Sequence, residues 1–140
     1  MASVYCAAND KRISSVVICA CPARFFGISQ FSNVEEFLKY CREIHIIRDA
    51  SFPPSVQEWA KGFEQAKPVK WIHKISPRPL LILHGDSDQT VNSSHARELY
   101  RRAKEPKDIV IIPGAGHKLR LSEPAMNTAR AWLKKVNGMG

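Results

Sequence analysis

A chain of 140 residues, 44% hydrophobic and 24% charged, has the length of one folded domain at most and the composition of an ordinary globular protein, which excludes the disordered and fibrous classes. No apolar run approaches the roughly 18 residues that a membrane helix needs, and the N-terminus lacks a basic region followed by a long apolar stretch, so the chain is read as cytoplasmic, with no membrane partner. The net charge of +8 invites nucleic acid, but the densest basic stretch (Arg97, Arg101, Arg102, Lys104, Lys107) is interleaved with Glu98, Glu105 and Asp108 like a solvated helix face, and no nucleic-acid motif accompanies it, so nucleic acid is not an expected partner.

Residues 2 to 9 have the Ala-rich propensity of a helix, stopped by Asn9-Asp10. Val16-Val17-Ile18-Cys19-Ala20-Cys21 is a nearly continuous, β-branched apolar run, expected of a strand buried on both faces and closed by Pro22. Ser32-Asn33-Val34-Glu35 is a capping-box pattern. It predicts a helix with Val34, Phe37, Leu38, Cys41, Ile44 and Arg48 on one face, running to about residue 49. Ser51 to Pro54 breaks it, and a second short helix is predicted over Val56 to Ala66, with Trp59 and Phe63 four apart. The stretch from Phe25 to Pro77 therefore reads as a long helical excursion between two strands.

Leu80 to His84 is the next buried strand, and Ser93 or Ser94 is expected to cap a helix that turns Ala96, Leu99, Tyr100 and Ala103 inward. Asp108 to Pro113 gives the last strand, Ile109-Val110-Ile111-Ile112. Ser122 caps a final helix that tolerates Pro124 in its first turn and buries Ala125, Ala129, Trp132, Leu133 and Val136. Strands alternating with helices imply parallel pairing through right-handed crossovers. The fold class is α/β, a partial doubly wound parallel sheet of about three strands with flanking helices, and residues 1–140 read as a single partial domain.

Cys6, Cys19, Cys21 and Cys41 show neither CxxC spacing nor the density of a disulfide framework. Cys41 and His45, four apart on a predicted helix, and Cys19 and Cys21, on one face of a predicted strand, are the residues from which a zinc site could be assembled. Buried cysteine is more often a small core hydrophobe, and no metal is expected.

The chemistry concentrates in two turns. The apolar strand from Leu80 runs into His84-Gly85-Asp86-Ser87-Asp88, and the last strand runs into Gly114-Ala115-Gly116-His117. Two such strand ends set an acid and a base on one rim of a doubly wound sheet. Acyl transfer by a serine hydrolase needs a nucleophile, an imidazole to take its proton, a carboxylate to orient that imidazole, and amide donors for the oxyanion. Spacing alone leaves both Asp86 and Asp88 as acids. His84, at the strand-to-turn junction, is expected to be a structural residue hydrogen-bonded near the turn, and His45, His73 and His95 have no motif around them.

With acid before histidine and both turns intact, the chain resembles the C-terminal half of the α/β-hydrolases. The resemblance implies that Asp88, the last residue of an HG-x-x-D pattern, is the acid, and that His117, closing a Gly-x-Gly-His turn, is the base of a Ser-Asp-His triad. It implies a serine hydrolase of carboxylic ester, amide or peptide bonds that needs no metal or organic cofactor. A nucleophile elbow G-x-S-x-G is missing. Gly27-Ile28-Ser29-Gln30-Phe31 and Gly85-Asp86-Ser87-Asp88-Gln89 both lack the second glycine, and Ser3 lies in the helix that would follow the elbow.

The chain therefore reads as starting just past the serine, and is expected to be inactive alone. The excursion from residue 25 to 77 takes the place of the family's lid. Phe25, Phe26, Trp59 and Phe63 are candidates to line an acyl pocket, with plain core packing as the competing reading. The strand at Val16 is expected to present an unpaired apolar edge, filled by a complementary N-terminal polypeptide or by self-association. The alternative from another class is a non-catalytic binding module that keeps the half-fold without a nucleophile.

Overall fold

The computed structural model describes residues 1–25 and 33–138. In chain order the elements are α1 (Ala2–Asn9), β1 (Val16–Cys19), α2 (Val34–Glu43), α3 (Val56–Gln65), α4 (Pro68–Trp71), β2 (Leu80–Gly85), α5 (Ser94–Arg102), β3 (Lys107–Ile112) and α6 (Glu123–Val136), with single 3-10 turns at Ile72–Lys74 and Leu119–Leu121.

All six residues of β2 are buried, because β2 is the middle strand of a parallel sheet of order β1-β2-β3. A continuous apolar run is what a strand covered on both faces requires. Val16 to Cys19 pair in register with Leu80 to Leu83, and Leu80 to Gly85 with Lys107 to Ile112. Side chains alternate between the faces, so the sheet divides two cores. Val16, Ile18, Leu80 and Ile82 pack with Val4 and Ala7 of α1, Ile72, Ile75, and Ala96 and Leu99 of α5. Leu81, Leu83 and Ile112 pack with Leu119 and with Ala125, Ala129 and Trp132 of α6. Trp132 also donates its indole N–H to Asp108 on β3 at 2.7 Å, which clips α6 to the sheet.

Several boundaries depart from the sequence reading for local reasons. The helix expected to reach residue 49 ends at Glu43. His45 adopts a left-handed φ of 57°, and the N–H groups of Ile46 and Ile47 both donate to the Cys41 carbonyl, at 2.9 and 3.1 Å. The last-turn carbonyl is thus satisfied by a reversal of the chain instead of by further helix. The β-branched Ile44, Ile46 and Ile47 gain little from continuing it, so Arg48 shares no helical face with Cys41.

Asn33 caps α2, its side chain accepting the Glu36 N–H at 2.9 Å; Ser32, the expected cap, lies outside the described residues, as do Phe26 and Gly27 to Phe31. Neither Ser93 nor Ser94 caps α5 through its side chain; Asn92 accepts the Ser94 N–H at 2.9 Å. Ser122 does cap α6, with Pro124 in the first turn.

Strand β1 stops at Cys19 and is not buried on both faces: Val17 is half-buried and Cys19 exposed. Among the described residues no strand pairs with its other edge. Ala20 takes a positive φ of 48°, so Cys21 leaves the strand and is buried while Cys19 is exposed. The two thiols do not share a strand face, and His45 lies beyond the helix that carries Cys41.

The short α4 was not expected. Pro68 at its N-terminus is preset for a first helical turn, and Tyr5 of α1 meets Trp71 edge-on at 5.0 Å. Arg78, just before β2, ties distant carbonyls to local ones: it donates from Nη1 to Asp10 and Ile13 at 2.9 and 3.1 Å, and nearby in the chain from Nε to Ile75 at 3.0 Å and from Nη2 to Lys74 at 3.2 Å. Among the described residues no helix is long and apolar enough to cross a membrane.

Candidate active site

Parallel register places Gly85 beside Ile112, so the turns after β2 and β3 leave the sheet at the same rim. The turns interlock. A Cβ on Gly85 would lie 2.0 Å from the Ala115 carbonyl oxygen, a separation only glycine permits. Ser87 N–H donates to that same carbonyl at 3.1 Å, and Asp86 N–H to Ile112 O at 3.3 Å. Gly114 turns the chain with a φ of 70° and donates its N–H to Asp86 Oδ1 at 2.7 Å. Asp86 also accepts from the Ser87 hydroxyl at 2.9 Å. Its carboxylate is a brace between the turns.

The Asp88 carboxylate is the one that meets the histidine. Its side chain is 0% exposed and His117 Nδ1 donates to Oδ2 at 2.9 Å. Oδ1 accepts the N–H groups of Thr90 and Val91, both at 2.8 Å. Burial pushes this carboxyl up, but the Val91 N–H, the His117 ring and the Thr90 N–H outweigh it, and together they hold Asp88 below the ordinary carboxylate range. His117, whose side chain is 42% exposed at the rim, gives its Nδ1–H to the acid, and no hydrogen bond engages its Nε2 among the described residues. A buried, ionised carboxylate behind an imidazole whose far nitrogen is free is an arrangement that can accept a proton from a hydroxyl and return it.

His84 behaves as the sequence suggests, its Nε2–H donating to the Val91 carbonyl at 2.8 Å. His95 was missed, and no local pattern marks it. Its Nδ1 accepts the Ala23 N–H at 3.2 Å, which ties the segment after β1 to α5, beside an Arg24–Glu98 ion pair. Burial lowers its pKa, Arg24 and His84 lower it further, and Glu98 opposes them.

Of the expected pocket residues, Phe25 stacks on Phe63 at 4.6 Å and Trp59 meets Phe63 edge-on at 5.0 Å. Phe37 and Phe52 join this cluster through Trp59, at 5.8 and 5.9 Å. Phe37 was legible only as part of the α2 apolar face, and Phe52 was not singled out. Ser3 is exposed and, with Met1 and residues 17–22, lines a groove along the free edge of β1. Among the described residues no group of three His, Cys, Asp or Glu side chains is placed to hold a metal ion.

The family model described as serine aminopeptidase, S33 matches residues 27–125, well over half of the chain and both turns of the rim. The chain belongs to this α/β-hydrolase family. The chain is similar to the uncharacterized protein YfhR of Escherichia coli K12, 43% identical over 47 residues that make up 34% of this chain and 16% of that protein. It is similar also to human alpha/beta hydrolase domain-containing protein 17B, 31% identical over 67 residues, 48% of this chain and 22% of that one. A putative lipase (lip1) from Acinetobacter baumannii AYE has the same fold, with a TM-score of 0.65 at 16% identity, covering 99% of this chain and 58% of the lipase. The chain thus spans less than two thirds of the length of each of these proteins.

Proposed function

We propose that these residues supply the acid and the histidine of a serine hydrolase acting on carboxylic ester or amide bonds. The supporting observation is the 2.9 Å bond from His117 Nδ1–H to the buried Asp88 carboxylate. It commits one ring nitrogen to the acid and leaves Nε2 to take a proton from a serine hydroxyl as the oxygen attacks the carbonyl carbon. The imidazolium so formed is stabilised by Asp88 and hands its proton to the leaving group.

On this reading the serine is carried by polypeptide outside these 140 residues, seated on the free edge of β1. The N–H groups of Val16 and Ala20 donate to Pro79 and Leu83 of the β2 side, so by strand alternation Val17 and Cys19 offer theirs outward, where a further parallel strand can pair. Self-association through the same edge is its competing use. The rings of Phe25, Trp59 and Phe63 form an apolar wall for the acyl part of the substrate.

The test is hydrolysis of a short-chain p-nitrophenyl ester by the chain alone and by the chain expressed with whatever coding sequence lies upstream of Met1, each beside His117→Ala. Turnover that appears only in the longer protein and falls by about a thousandfold or more in His117→Ala is the expected result. Turnover indifferent to His117 would overturn the assignment.

A further inference from the structure

We propose that His84 is a positioning residue for the acid, held as the neutral Nε2–H tautomer, so that two imidazoles of opposite tautomer converge on one oxygen of Asp88. This rests on reading Asp88 as the acid. The His84 side chain is 0% exposed, and its Nε2 stands 2.8 Å from the Val91 carbonyl and 3.3 Å from Asp88 Oδ2. A carbonyl can only accept, so the proton is on Nε2. The other nitrogen, Nδ1, is buried without a hydrogen-bond partner among the described residues. Placing a second proton there would bury an unpaired N–H on a charged ring, which costs far more than leaving a bare lone pair. His117 faces the same Oδ2 with Nδ1–H at 2.9 Å, and therefore with the opposite nitrogen protonated.

The contacts close a ring. Val91 N–H donates to Asp88 Oδ1 at 2.8 Å, the Val91 carbonyl accepts from His84, and the same His84 N–H lies against Asp88 Oδ2. The carboxylate cannot rotate about its own axis without breaking bonds at both oxygens. His84 belongs to β2, the strand buried along its whole length. The orientation of the acid, and through it of His117, is thus referred to the fully buried middle strand of the sheet and not to the turn alone.

The test reads protons rather than turnover: long-range proton–nitrogen correlation spectra of the ¹⁵N-labelled chain near neutral pH, for wild type, His84→Gln and His84→Phe. In the wild type, His84 should carry its proton on Nε2 and His117 on Nδ1. Gln offers an amide N–H at a similar reach and should preserve the His117 Nδ1 proton. Phe fills the volume without a donor, so the His117 tautomer should become mixed and its Nδ1 proton should exchange with water about tenfold faster, the loss expected for one ordinary hydrogen bond.

A wild-type His84 protonated on Nδ1 or on both nitrogens would overturn the proposal, as would a Phe variant with an unchanged His117. If the Phe variant loses amide dispersion and does not fold, the wild type and the Gln variant decide: His117 losing its Nδ1 proton in Gln counts against the proposal, and keeping it counts for it. The expected tautomers together with no ester turnover in the longer protein would break the hydrolase reading while leaving this contact intact.

Discussion

The rim at residues 84–91 and 113–117 and the helices between 33 and 66 are held by different physics. At the rim nearly every contact is a directed hydrogen bond to backbone: Asp86 to Gly114, Asp88 to Thr90 and Val91, Ser87 to Ala115. In the excursion α3 has no fully buried residue, and its attachment is a set of aromatic rings 4.6–5.9 Å apart. Directed bonds fix a geometry to fractions of an ångström, whereas stacked rings tolerate sliding. The difference places positional accuracy at the Asp88–His117 pair and leaves the helical insertion the more loosely held part.

Three changes sharpen or break that contrast. Gly85→Ala should be the most damaging, because its Cβ meets backbone that has no room to yield; a loss of about 3 kcal/mol or more is expected in urea denaturation, and a loss below 1 kcal/mol would mean that the interlock is soft. Asp88→Asn should cost roughly 2 kcal/mol at pH 7, since an amide cannot accept from the His117 ring at one end and from both N–H groups at the other. The sign of its pH dependence follows from a carboxyl held low in the folded state. The stability it contributes is complete above the unfolded value near 4 and disappears as pH falls through the lower folded value. Wild type should therefore lose stability in that acid window more steeply than Asp88→Asn; parallel profiles would contradict the assignment. Ser55→Ala, which removes the hydroxyl accepting Glu58 N–H at 3.2 Å, should cost about 1 kcal/mol. Amide exchange should rise in α3 alone, with β2 unchanged.

The same contrast governs what was legible in the sequence. Apolar runs of the β2 and β3 type and the α6 stripe follow from periodicity, and the two glycine turns announced an acid and a histidine because their chemistry is local. Which aspartate faces His117 was not decidable from spacing, since it depends on Gly114 claiming Asp86 across the sheet. The early end of α2 was hidden because the apolar pattern continues through Ile44 and Ile47 after the backbone has reversed at His45. Arg78 and His95 escaped notice for a different reason: each binds backbone carbonyls or amides far away in the chain, and such partners leave no side-chain pattern to read.

The Gly85 contact with Ala115 has a consequence for insertions. It locks β2 and β3 at a single register, so the separation of Asp88 from His117 is inherited from the sheet and owes nothing to the number of residues that join them. A loop on the far side of α5 can lengthen at a cost that grows only logarithmically, and the 2.9 Å contact between the His117 ring and the Asp88 carboxylate keeps its length.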